Sequence, residues 1–131
     1  MKSQSQTYFA PQLFIASGVK DISFYAKAFG AEELRRWNND DGSIHVAELS
    51  INGAIFHLHE ERAEKNQFAP GKINGVTSII GIFVDDVDSV IKKAESSGAE
   101  VLNPPTSYDY GYRQAAFRDP FGHQWLVQQK I

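Results

Sequence analysis

His57 and Glu48 are the residues whose types and spacing most readily support chemistry, and His59 stands two places beyond the first. If Asn52-Gly53 forms a two-residue hairpin loop, Ile51 pairs with Ala54, Ser50 with Ile55, Leu49 with Phe56 and Glu48 with His57. Side chains alternate along a strand, so His59, opposite Val46, shares the face of Glu48 and His57, while Ala47, Leu49, Phe56 and Leu58 form the other. A carboxylate beside an imidazole can orient it and make it a general base or acid near neutral pH. The same pair can equally be a hydrogen-bonded couple that satisfies a pocket wall. A third use of Glu48, His57 and His59 is to hold a metal, but these residues come from two adjacent strands and an enclosing geometry needs a further group.

Few other chemistries remain open. The chain has no cysteine, which excludes thiolate sites, disulfides and a cysteine nucleophile. No glycine loop for phosphate, Ser-His-Asp order or HExxH motif is present. A formal net charge of −3, without a block of Lys or Arg, argues against a nucleic-acid surface. The opening MKSQSQTYFAPQ lacks the apolar core of a signal peptide, and no apolar run nears the roughly 18 residues of a membrane span. We expect a soluble, cytoplasmic protein whose partner is a small organic molecule or another copy of itself, not nucleic acid or membrane.

The elements that must position these residues recur. YFAPQLFIA reads as a strand, and SGVKDISFYAKAFG as a short helix with Val19, Ile22, Ala26 and Phe29 on one stripe, Ser17 as N-cap and Gly30 at the stop. AEELRRWN, SIHVAELS and INGAIFHLHEE follow as strands. ERAEKNQFAPGKINGV has the composition of a linker or mobile loop. TSIIGIFV then reads as a strand, DDVDSVIKKAESSG as a helix with an Asp cap and Gly98 at the stop, and AEVLNPP as a short strand broken by prolines. GYRQAAFR, the DPFG turn and HQWLVQQ complete the second half. An offset of 68 places Gly30-Ala31-Glu32 on Gly98-Ala99-Glu100, and one of 69 places Gly53 on Gly122 and His57 on Leu126. The chain is therefore expected to be a single α+β domain, 1–131, of two tandem βαβββ modules (7–61 and 77–131) joined by a linker at 62–76. Hydrophobic content of 42% supports a real core in a chain of this length.

Paired βαβββ modules, with FYAKAFGAE closing the first helix and RDPFGHQW entering the last strand, resemble the vicinal oxygen chelate superfamily of glyoxalases, bleomycin resistance proteins and extradiol dioxygenases. YGYRQAAFRDPFGHQW is most similar to its PhnB-like branch. The resemblance implies sheets curled around a cavity and usually a homodimer, but it does not fix the reaction. It also implies metal positions near Ala10 or Gln12 and at His57, Ile79 and Leu126. Ile79 and Leu126 have no donor atom, so no metal and no cofactor are expected there.

The remaining expected lining residues are Gln12 and Phe14 on the first strand, Trp37 on the second, His59 on the fourth, and Gln124, Leu126 and Gln128 on the last. Trp125 alternates with that last set and is expected in the core. Arg113, after Tyr108, Tyr110 and Tyr112, is a candidate anion clamp or a solvated cation beside stacking tyrosines. His123 follows the Asp-Pro-Phe-Gly turn, where its equivalent in the first half is Ala54, and is expected to bond locally.

Overall fold

A computed structural model describes residues 5–131, so the first four residues of the opening segment lie outside it. The strands are β1 (Gln12–Ile15), β2 (Glu32–Asn38), β3 (Ile44–Ile51), β4 (Ala54–Glu60), β5 (Ile80–Phe83), β6 (Glu100–Tyr108), β7 (Tyr112–Arg118) and β8 (Gln124–Lys130). The helices are α1 (Phe24–Phe29), α2 (Pro70–Ile73) and α3 (Val87–Ser96). Two four-stranded sheets result, ordered β1-β4-β3-β2 and β5-β8-β7-β6. The fold is α+β with tandem modules of the same topology. Gln12 pairs with His57 in one parallel contact, and Gly81 pairs with Leu126 in the other.

The hairpin register follows from its turn. Asn52 and Gly53 both adopt positive φ, 49° and 93°, as a two-residue loop matched to strand twist requires. Ile51 therefore meets Ala54, Glu48 meets His57 and Val46 meets His59.

Three local expectations change. The first helix starts at Phe24, with Ser23 rather than Ser17 at its N-cap. The cause is non-local: the Val19 carbonyl accepts from the Ile44 amide of β3 at 2.8 Å, which ties the residues before the helix to that strand. The Asp21 carboxylate then accepts from the Ser23 amide at 2.9 Å and turns the chain into the helix. β6 runs through Pro104 and Pro105 to Tyr108, with register shifts around Asn103. Both prolines fall within the shift between the Asn103–Ala116 and Thr106–Gln114 pairs, on a strand at the edge of its sheet, so neither has to donate to the ladder.

The linker is also more ordered than its composition implies. A 3₁₀ turn spans Ala63–Lys65, Glu61 accepts from the Ala69 amide at 3.1 Å, and Pro70 is buried. Pro70 sits on the second module's turn, where a Cβ added to Gly122 would come within 2.8 Å of it.

One hydrophobic core serves both modules. Leu13, Ile15, Ala47, Leu49, Phe56 and Leu58 enter it from the first sheet, and Ala115, Phe117, Trp125 and Val127 from the second. α1 packs on α3, and the Tyr25 ring lies 5.2 Å from Phe56 and 5.8 Å from Trp125. Trp125 is 1% exposed, as its alternation predicts. The opposite faces of both sheets turn away from this core, so the sheets do not close on one another within the chain. Among the described residues, no helix is long and apolar enough to cross a membrane.

Candidate functional site

The outer face of the first sheet carries two rows of side chains set by strand register. Arg35, Glu48, His57 and Gln12 run across β2, β3, β4 and β1. Beside them run Trp37, Val46, His59 and Phe14. The first row is polar and the second mostly apolar or aromatic.

Within the polar row, His57 Nε2 is 3.0 Å from Glu48 Oε2, and Gln12 Nε2 is 3.3 Å from His57 Nδ1. An amide nitrogen only donates, so it assigns the lone pair to Nδ1 and the proton to Nε2, which donates to Glu48. The His57 and Glu48 side chains are 21% and 27% exposed, half-buried but reachable from solvent. Such a pair can orient an imidazole toward a ligand, and a proton-accepting site is available wherever the Gln12 amide is displaced.

His59 shares the face but has a different environment. It is 6% exposed, its Nδ1 donates to the Glu60 carbonyl at 2.6 Å, and Nε2 accepts from the Arg62 guanidinium. Phe14 packs edge-on against it at 5.8 Å and His45 at 5.0 Å. Both ring nitrogens are committed, so His59 supports the wall and offers no lone pair to a ligand. Among the described residues no group of three or more His, Cys, Asp or Glu is arranged to hold a metal ion.

The other expected lining residues divide by sheet. Phe14 and Trp37 flank the polar row, and Trp37 is 48% exposed. Gln124, Leu126 and Gln128 lie on the second sheet, where Gln128 accepts from Gln114 at 2.8 Å. A single chain does not bring these two groups into one cavity. Gly81, not Ile79, stands opposite Leu126, and Ile79 precedes β5.

Arg113 points to the helix side of its sheet with Ala115 and Phe117. It donates to both Asp88 oxygens at 2.7 and 2.8 Å and to Ser107 at 3.0 Å. The guanidinium holds the Asp88 carboxyl below its ordinary range. Its fork is therefore spent on α3 and is not presented to the outer face. Tyr108 and Tyr110 stack at 5.2 Å, the neighbouring cluster expected for this cation.

His123 does not bond locally through its ring. Its Nε2 donates to the Phe14 carbonyl at 2.7 Å, tying the second module's turn to β1 of the first. Beside this tie, a cavity of about 210 Å³ opens between β1 and the linker, lined by Gln12, Phe14, Phe68, Ile73 and His123 among others. It adjoins the Gln12 end of the polar row. Sequence reasoning missed the linker's contribution because Phe68 and Ile73 carry no periodic signal.

It missed Arg35 as well. Glu33 faces Leu49, but a bulge places Arg35 opposite Glu48. A regular strand would have put Leu34 there.

The family profile for the Glyoxalase/Bleomycin resistance protein/Dioxygenase superfamily matches residues 13–127. The chain belongs to that superfamily. A protein of Mycobacterium bovis is 32% identical over 125 residues, covering 93% of this chain and 82% of that one. Among solved structures, TioX from a Micromonospora species is 22% identical, with a TM-score of 0.67 and coverage of 95% of this chain and 100% of that one. The genomically encoded fosfomycin resistance protein FosX from Listeria monocytogenes is 17% identical, with a TM-score of 0.67 and coverage of 98% and 96%. At those identities the two structures share the fold with this chain.

Proposed function

We propose that the chain is a small-molecule binding protein of the glyoxalase and bleomycin-resistance type, holding an organic ligand on the outer face of the first sheet without a metal ion. The observation that carries this reading is the unbroken sequence of amide, imidazole and carboxylate from Gln12 through His57 to Glu48. Phe14 and Trp37 stand beside it as apolar walls, the combination that binds an organic molecule with polar substituents. Gln12 and His57 could offer donors to an ion, but Gly81 and Leu126, at the corresponding register of the second module, have none. A divalent ion wants three or more protein N or O ligands, and this set does not fit one. The reading takes the protein as a cytoplasmic homodimer of the PhnB-like branch. The phrase YGYRQAAFRDPFGHQW supports the branch, and two outward faces with exposed Trp37 and Phe83 support the pairing.

The test is a thermal-shift screen of small organic ligands on untagged protein, before and after chelation, with elemental analysis of the same sample. The expected result is a stabilising ligand whose shift survives chelation and disappears in His57→Ala. A stoichiometric divalent ion that is lost in His57→Ala would overturn the metal-free reading.

A second reading follows from the 3.0 Å contact between His57 and Glu48. In it the chain is a metal-independent isomerase or lyase acting on a small organic carbonyl or acid. Glu48 orients the ring, and Nδ1 takes the substrate proton once the Gln12 amide has moved aside. His57→Ala should then abolish turnover while leaving the circular dichroism spectrum unchanged; retained turnover rejects the assignment.

A further inference from the structure

The polar row ends at Arg35, a residue whose guanidinium has no assigned task. The other arginines are all engaged: Arg36 with Glu33, Arg62 with His59, Arg113 with Asp88 and Arg118 with Glu100. Among the described residues Arg35 has no hydrogen-bonded or ion-paired side-chain partner, although it is exposed and stands opposite Glu48 in register. The carboxylate of Glu48 is turned to His57 instead. A free guanidinium is thus fixed at the rim of the candidate site by a bulge in β2, with Trp37 two residues along the same strand.

We propose that Arg35 selects the ligand by its charge, receiving the carboxylate of an organic monoanion whose apolar body lies against Trp37 and over His57. This rests on the binding reading above and names its ligand class. A guanidinium presents parallel N–H donors that match the two oxygens of a carboxylate, and a flexible ammonium does not reproduce that fork. Arg35 and His57 are two strands apart, about 10 Å between backbones at the usual strand spacing. The long arginine side chain can cover part of that span, so a ligand of one ring and a short acid arm reaches both groups. An amide of the same shape would leave the guanidinium without its anion.

The experiment uses phenylacetate and phenylacetamide as probes, similar in shape and different in charge. Each is titrated into the full chain while the His57 ring signals are followed by NMR, assigned by their loss in His57→Ala. Phenylacetate is expected to move those signals and to bind about tenfold more weakly to Arg35→Gln, the loss of one charge-assisted contact. Arg36→Gln, whose native partner is Glu33 on the same strand, should bind phenylacetate like the parent protein. Phenylacetamide should bind more weakly than phenylacetate and be indifferent to Arg35→Gln. Equal perturbation of His57 by both probes, unchanged in Arg35→Gln, would overturn the charge selection and leave the binding reading standing. No perturbation of His57 by either probe would count against both.

Discussion

Asp119 organises more of the molecule than any other polar side chain described, and its role is visible only in three dimensions. One carboxylate oxygen accepts from the Phe121 and His123 amides at 2.9 and 3.0 Å. The other accepts from the Tyr25 hydroxyl at 2.5 Å and the Trp125 indole at 3.0 Å. The turn signal Asp-Pro-Phe-Gly made the local bonds legible in the sequence, but Tyr25 lies 94 residues away and no spacing rule could pair them. The same holds for His123, whose ring partner is 109 residues distant. Burial, then the adjacent Asp119 charge, push the Tyr25 phenol well above its ordinary value. An acid harder to ionise in the folded state than in the unfolded one contributes stability that is full below about pH 10 and lost as pH rises further. Thermal melts from pH 8 to roughly pH 11.5 should therefore show a fall above about pH 10 that is shallower in Tyr25→Phe. At neutral pH that variant should be less stable by about 1–3 kcal/mol, because a buried carboxylate oxygen loses a donor. An alkaline limb as steep in Tyr25→Phe as in the parent would remove this phenol from the explanation.

Elements were legible where a local rule set them and illegible where a distant strand did. The Asn52-Gly53 turn fixed its hairpin register, and with it the pairing of Glu48 with His57, because the turn dictates the alignment of both strands. Arg35 escaped because one bulge changes the parity of β2 beyond it. The start of α1 escaped because β3 captures the carbonyl of Val19. The linker escaped because its residues answer to distant partners, Pro70 to the second module's turn at Gly122, and not to each other. Gly122 tests that last relation. It adopts φ +97°, and an added Cβ would lie 2.8 Å from Pro70 Cβ. Gly122→Ala should cost more than the roughly 1 kcal/mol of a left-handed backbone alone, since Pro70 must also move. Gly53→Ala has the same positive φ but open space around it, and isolates the backbone share. Denaturant melts of the two variants should separate them, with Gly122→Ala the less stable; equal losses would mean the linker yields freely to the turn.

At the scale of the whole molecule, duplication was readable from the two offsets and the topology repeats it. The relation between the modules was not readable, because it depends on how α1 and α3 fill one interior. That interior turns both polar faces outward, so the residues expected to line a common cavity lie on separate sheets. Exposed apolar groups remain on those faces: Trp37 is 48% exposed on the first sheet, and Phe83 is 53% exposed on the second. A second copy placing its second sheet over the first sheet of its neighbour would cover both and enclose the row from Arg35 to Gln12. The proposed homodimer then has a measurable consequence, since association that stabilises the fold makes the melting temperature rise with protein concentration. Sedimentation velocity should give a species of twice 14.6 kDa. A lysine placed at Trp37 or Phe83 would be buried in that contact beside another cation, Arg35 or Lys130, so Trp37→Lys and Phe83→Lys should each shift the protein toward monomer. Both residues are outside the core, so circular dichroism should stay unchanged. A parent protein that sediments as a monomer at every concentration would place ligand binding on an open face, with phenylacetate reaching His57 from solvent unobstructed.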